Sequence, residues 1–135
     1  MKEGLYVGYK ETMTFTVTEE MFAQFGGEVV HPTYSTATMV YHMEWVSRNI
    51  ILPFLEEGEE GMGASVNVKH LAPSPLGTTV RAEAVVTKIK TRSITTSVVL
   101  MNGKGKIGEG EVKQALMPKS YIEEQIRNQD VQKKE

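Results

Sequence analysis

The longest periodic run of apolar positions lies between Ser35 and Leu55 (STATMVYHMEWVSRNIILPFL). At 100° per residue, Met39, Met43, Val46, Ile50 and Phe54 fall on one side, flanked by Val40 and Ile51. That pattern predicts one long helix. Ser or Thr at its start supplies a cap, and Pro53 marks its last turn or a kink. Tyr41, Trp45 and Leu52 occupy the far side, so the helix is apolar nearly all round. Such a helix is covered by a sheet that wraps it or by a second subunit.

Elsewhere the period is two. Lys10 to Val17 alternates Met13, Phe15 and Val17 with Thr12, Thr14 and Thr16, as a half-buried strand does. From Gly63 onward, Ala64, Val66, Val68 and His70 share one parity; Ser65, Asn67, Lys69 and Leu71 share the other. Thr78 to Lys90 reads as a long strand whose parity shifts near Val85-Val86, the mark of a bulge. Ser93 to Met101 is the next strand, and Asn102-Gly103-Lys104-Gly105 is a tight hairpin signal. Lys106 to Met117 closes the sheet, with Gly108 and Gly110 permitting close backbone approach.

The remaining segments are shorter. Thr18 caps a short helix with Glu19 and Glu20 in its first turn and Met21, Phe22 and Phe25 on its apolar side; Gly26-Gly27 ends it. Glu28 to Tyr34 is then a loop. Residues 1–8 read as a loosely held lead-in, and Glu56 to Gly61 (EEGEEG) as a solvated turn. The chain divides into a domain at 1–118 and a polar tail at 119–135, where Tyr121, Ile122 and Ile126 at helical spacing predict a short helix fraying into a disordered end. Strands joined by short turns imply an antiparallel sheet with the long helix packed on its face, an α+β fold.

Composition narrows the function without naming it. The 135 residues suit one domain, and 40% apolar with 24% charged residues is ordinary for a soluble globular chain. The formal charge of −2 argues against a nucleic-acid partner. With no cysteine, disulfides, thiolate metal sites and a cysteine nucleophile are excluded. No signal peptide or membrane span is evident, so the expected location is cytoplasmic.

Two ionisable residues stand out by position. Glu44 borders the core stripe of the helix, although Arg48 one turn later offers it an ordinary exposed ion pair. His70 is in phase with Val66 and Val68 and so points toward the helix, where a backbone carbonyl would satisfy it or Glu44 would oppose it. In the second case the two form a buried acid–base pair suited to general-base or nucleophilic catalysis. His42 and His31, off the stripe and in a loop, read as exposed. The chain has no G-x-S-x-G, P-loop, G-x-G-x-x-G or H-E-x-x-H motif, and no two histidines share a helix face for zinc. Lys69, Arg81, Lys88, Lys90, Arg92, Lys104 and Lys106 crowd the second half, either as a solvated face or to meet phosphates of a bulky ligand.

These segments resemble a family. TVTEEMF at 16–22, Met43-Glu44-Trp45, GASVNVKHLAPSP at 63–75, GTTVRAE at 77–83 and IGEGE at 107–111 are similar to hotdog-fold thioesterases of the fluoroacetyl-CoA thioesterase group, from about Gly8 to Met117. The resemblance implies a hotdog fold and a catalytic set of Thr36, Glu44 eight residues on, and His70 in the next strand. It places the backbone N–H of Gly63 near the substrate carbonyl, with Thr33 and Val30 as further substrate-binding positions. The chain departs from the group before the helix, where it reads His31-Pro32-Thr33-Tyr34-Ser35-Thr36, and Gly26, Gly27, Val29 and Val30 stand where an aromatic lid is expected. The implied substrate is therefore a short-chain acyl-CoA. No cofactor is implied, CoA entering only as part of the substrate, and no metal.

Eight residues of helix span ~12 Å, so Thr36 and Glu44 cannot bond directly. Either the helix begins after Thr36, or the threonine acts elsewhere on the substrate, or a neighbouring subunit supplies one partner. The resemblance implies a homodimer, with a tetramer open. The rival readings are a non-catalytic acyl-CoA or acyl-carrier binding module, and a hydratase-like hotdog. The latter wants an Asp near its His, and the chain's single Asp is Asp130.

Overall fold

In the computed structural model, which describes residues 1–132, helix α1 spans Thr36–Ile51 and continues as a 3-10 turn through Phe54. Ser35 is its N-cap: the Ser35 hydroxyl accepts from the Thr38 N–H at 3.0 Å. Pro53 lies in the 3-10 turn, where its missing N–H ends the regular ladder. Met39, Met43, Val46 and Ile50 are fully buried, as their spacing requires, while Tyr41, Trp45 and Leu52 remain exposed in the single chain.

The strands are β1 (Lys10–Thr16), β2 (Phe22–Phe25), β3 (Glu28–Tyr34), β4 (Glu59–His70), β5 (Thr79–Lys90), β6 (Ser93–Asn102) and β7 (Gly105–Pro118); helix α2 (Lys119–Gln129) follows. Five strands form one antiparallel sheet in the order β1-β5-β6-β7-β4, and α1 lies in its concave face. Alternate residues of β5 and β6, among them Val80, Ala82, Ala84, Val98 and Leu100, meet the helix stripe to make the core. A Cβ on Gly110 would collide with the Asn67 carbonyl and come within 2.9 Å of Met43 Cε, so this glycine sets how closely β7, β4 and α1 approach. Beneath the helix, Ser47 Oγ bonds Thr96 Oγ1 at 2.7 Å and Gln114 Nε2 donates to the Ser47 carbonyl at 3.1 Å, pinning α1 against β6 and β7.

Four local expectations are corrected. The segment after Thr18 is not a helix: one 3-10 turn (Glu19–Met21) leads into β2, which pairs with β3 as a separate hairpin. Gly26 and Gly27 both have positive φ, 58° and 85°, the requirement of a two-residue type I′ turn, so they join strands and do not stop a helix. For the same reason Glu28 to Tyr34 is a strand and not a loop. The lead-in is tied down, with Lys2 N donating to the Phe54 carbonyl at 2.6 Å and Gly8 N to the Val86 carbonyl at 2.8 Å. The predicted bulge in β5 is present, between Val86 and Lys88.

In β4 the strand begins four residues earlier than expected, and a second bulge lies between Gly63 and Ser65. Ala64 therefore does not share the inward face of Val66, Val68 and His70; it is exposed. The last part of the predicted tail, 133–135, lies outside the described residues. Among the described residues no helix is long and apolar enough to cross a membrane.

Candidate functional site

Helix α1 and strand β4 run in opposite directions along each other, so the start of the helix meets the end of the strand. There Thr36 Oγ1 lies 2.8 Å from His70 Nδ1. Burial pushes the His70 pKa below its ordinary value, opposed by a hydrogen bond with the Ala72 backbone, so the imidazole is held toward its neutral form. Among the described residues its Nε2 is buried without a hydrogen-bond partner, on an otherwise seated ring. Tyr34 packs edge-on against it, ring centroids 6.3 Å apart.

Two turns along the helix, Glu44 stands over Gly63. A Cβ on Gly63 would sit 3.4 Å from Glu44 Oε1, so the absent side chain leaves room for the carboxylate against bare backbone. Glu44 makes no hydrogen bond or ion pair among the described residues. The expected pair with Arg48 is not formed, because Arg48 reaches across to Glu60 at 2.7 Å and holds that carboxyl below its usual pKa. A small cavity of about 200 Å³ opens here, walled by Glu44, Arg48, Gly63 and Gln114.

The bulge in β4 has a direct consequence for this site. Gly63 and His70 are an odd number of residues apart, so a regular strand would turn them to opposite faces. The extra residue at Ala64 restores the phase, and both face the helix.

Within one chain, however, the helix separates Thr36 from Glu44 by ~12 Å, and His70 stays with Thr36. The expected acid–base pair of Glu44 and His70 is therefore not made inside a single copy; the histidine's partner is the threonine. Because Ser35 is the cap, the helix already includes Thr36, which removes one of the three ways out of that separation. Gly63 is likewise beside Glu44 and away from Thr36.

The other predicted positions scatter. Thr33 is half-buried and forms a bridge with Pro75, and Val30 is exposed, both on β3 leading into Thr36. His31 is exposed as expected, but His42 is buried, a correction. His42 Nδ1 is 2.7 Å from the Tyr34 hydroxyl and its ring stacks on Phe15 at 3.8 Å; burial lowers its pKa to about 4. The signal was in the spacing: His42 follows Met39 by three and precedes Val46 by four, next to the core stripe. Among the described residues no cluster of three His, Asp or Glu could hold a metal ion.

The split site leaves two other surfaces open. Among the described residues β4 is an edge strand of the sheet, bonded only to β7. On the outer side of α1, Tyr41, Trp45 and Leu52 are exposed.

The chain matches the family model described as fluoroacetyl-CoA-specific thioesterase over residues 17–120. A fluoroacetyl-CoA thioesterase of Streptantibioticus cattleyicolor is 28% identical, the match covering 94% of this chain and 96% of that protein. The crystal structure of a Thermus thermophilus hypothetical protein, a thioesterase superfamily member, superposes with a TM-score of 0.89 at 40% identity, covering 93% of each chain. A variant of a fluoroacetyl-CoA-specific thioesterase in complex with fluoroacetate and CoA superposes at 0.81 with 27% identity, covering 87% of this chain and 99% of that one. The sheet wrapped around α1 is the hotdog fold.

Proposed function

The chain belongs to the fluoroacetyl-CoA-specific thioesterase family of hotdog thioester hydrolases, and from that premise we propose that it hydrolyses a short-chain acyl-CoA to the free acid and CoA. Glu44 takes a proton from the water that attacks the thioester carbonyl, or attacks the carbonyl itself to form an anhydride that water then opens. Gly63 N–H donates to the developing oxyanion. His70, with Nδ1 accepting from Thr36, carries a proton on Nε2 and hydrogen-bonds the departing thiolate, which takes up the proton that Glu44 removed from water. The observation that carries this reading is the pair of half-sites: a hydrogen-bonded Thr36–His70 dyad and an unpaired Glu44 carboxylate against Gly63.

The halves meet in a homodimer. If two β4 edges pair antiparallel about a two-fold axis near Val66-Asn67, Gly63 of one copy stands opposite His70 of the other, within cross-strand reach. The same pairing supplies the free strand edge with a partner. Acyl groups of a few carbons suit the small cavity at Glu44.

Replacing Glu44 with Ala tests the role. Thiol release from a panel of acyl-CoA esters should fall about a thousandfold in kcat, within the range for loss of a positioned base. Undiminished turnover in the folded variant would refute it, and tight CoA-ester binding without turnover by the unaltered protein would favour a binding module.

A further inference from the structure

The cavity at Glu44 is mixed in character. Its walls are Glu44, Arg48, Gly61, Gly63, Val112 and Gln114, and of these only Val112 brings an apolar side chain. Gln114 is 4% exposed, and its carboxamide is oriented. Nε2 donates to the Ser47 carbonyl at 3.1 Å, which turns Oε1 the other way. Oε1 lies 3.7 Å from where a Cβ on Gly61 would stand, beside the bare backbone of β4. Among the described residues it accepts no hydrogen bond.

The strand register places this acceptor next to the reacting bond. Gln114 on β7 is the direct cross-strand partner of Gly63 on β4, and paired positions share a face at about 5 Å. With the thioester carbonyl held between Gly63 N–H and Glu44, a substituent on the carbon beside the carbonyl comes within reach of Gln114 Oε1. The charges decide its kind. Glu44 disfavours an anion there. Arg48 disfavours a cation, since its guanidinium gives one nitrogen to Glu60 and has further N–H groups. A neutral group that donates one hydrogen bond fits, whereas an alkyl group would leave Oε1 buried and unpaired.

We propose that the acyl group is a 2-hydroxyacyl group and that Gln114 selects it, Oε1 accepting from the 2-hydroxyl. The inference rests on the thioesterase reading and names the acyl class within it. A glycolyl group suits a cavity of about 200 Å³.

A pair of isosteric substrates tests it. Glycolyl-CoA and propionyl-CoA differ only in hydroxyl for methyl. In kcat/KM the unaltered protein should favour glycolyl-CoA about tenfold beyond the ratio of the two esters' rates with hydroxide in solution. That is the scale of one hydrogen bond made against an acceptor left unpaired. Gln114→Met keeps the length and removes the acceptor, and the excess should vanish in it. The ratio cancels any loss common to both substrates, including that from the broken bond to Ser47. No excess in the unaltered protein, or an equal excess in Gln114→Met, overturns the assignment. Where Gln114→Met does not fold, the comparison with hydroxide decides alone. If the unaltered protein hydrolyses neither these esters nor acetyl-CoA, the thioesterase reading fails by itself, and calorimetry with the two esters decides the acyl preference. Tighter binding of glycolyl-CoA supports it, and equal binding overturns it.

Discussion

The two ends of the α1–β4 contact are built differently. At the Thr36–His70 end every group but one is spoken for: the threonine is bonded, the ring is seated by Tyr34, and Nε2 alone is open. At the Glu44–Gly63 end the carboxylate has room, no partner and a small cavity beside it. One half is rigid and unsatisfied at a single atom; the other holds an unpaired charge against bare backbone. Neither half is chemically complete, and the open atom of each is of the type the other lacks.

The contrast can be sharpened by altering the halves separately. A large effect, below that of losing Glu44 or His70, is expected from Thr36→Val, which keeps the shape and removes the hydroxyl. Without that bond the imidazole loses its fixed orientation and tautomer, and kcat should fall about a hundredfold, with KM little changed. Steady-state kinetics on acetyl-CoA reads the split; an equal loss in KM would mean that Thr36 binds substrate and does not orient the histidine.

A smaller effect, on stability alone, is expected at the Tyr34–His42 pair behind the rigid half. His42 folds as a neutral ring with its pKa lowered to about 4, so the unfolded chain takes up a proton that the folded one refuses. The stabilisation is complete above pH 6.5 and is lost as pH falls toward 4, by roughly 3 kcal/mol. Thermal melts across that window should show it for the unaltered protein and not for His42→Leu, whose kcat at neutral pH should stay close to normal. A Tm in His42→Leu with the same acid dependence would place its origin elsewhere.

Much of this was legible in the chain. Period and parity gave α1, its cap, the five strands of the main sheet and the inward aim of His70, because each is enforced by a large buried surface. The β2–β3 hairpin was not legible, since Met21, Phe22 and Phe25 fit a helix face as well as a short strand, and only the positive φ of both Gly26 and Gly27 decides between them. His42 was misplaced because a polar residue beside a core stripe gives no hint of a phenol eight residues earlier in sequence that will bond it. The Glu44–His70 pairing is not made within one copy, for a geometric reason. Parity fixes which face a residue uses and says nothing of how far along the helix it lands, and here α1 and β4 run antiparallel with the two residues at opposite ends. Gly63 facing inward depended on a bulge at Ala64 that no turn residue announces.

Whether Glu44 of one copy works with His70 of another is decided by complementation. Glu44→Ala and His70→Ala, each nearly inactive alone, are unfolded together, refolded as a mixture and assayed for thiol release from acetyl-CoA. In a shared site, a mixed dimer holds one intact pair, so a random mixture should recover about a quarter of normal turnover per chain. If each copy instead supplied its own glutamate and histidine, no intact pair could form, and a mixture as inactive as its parents, with mixed dimers confirmed by mass spectrometry, would rule out the shared site.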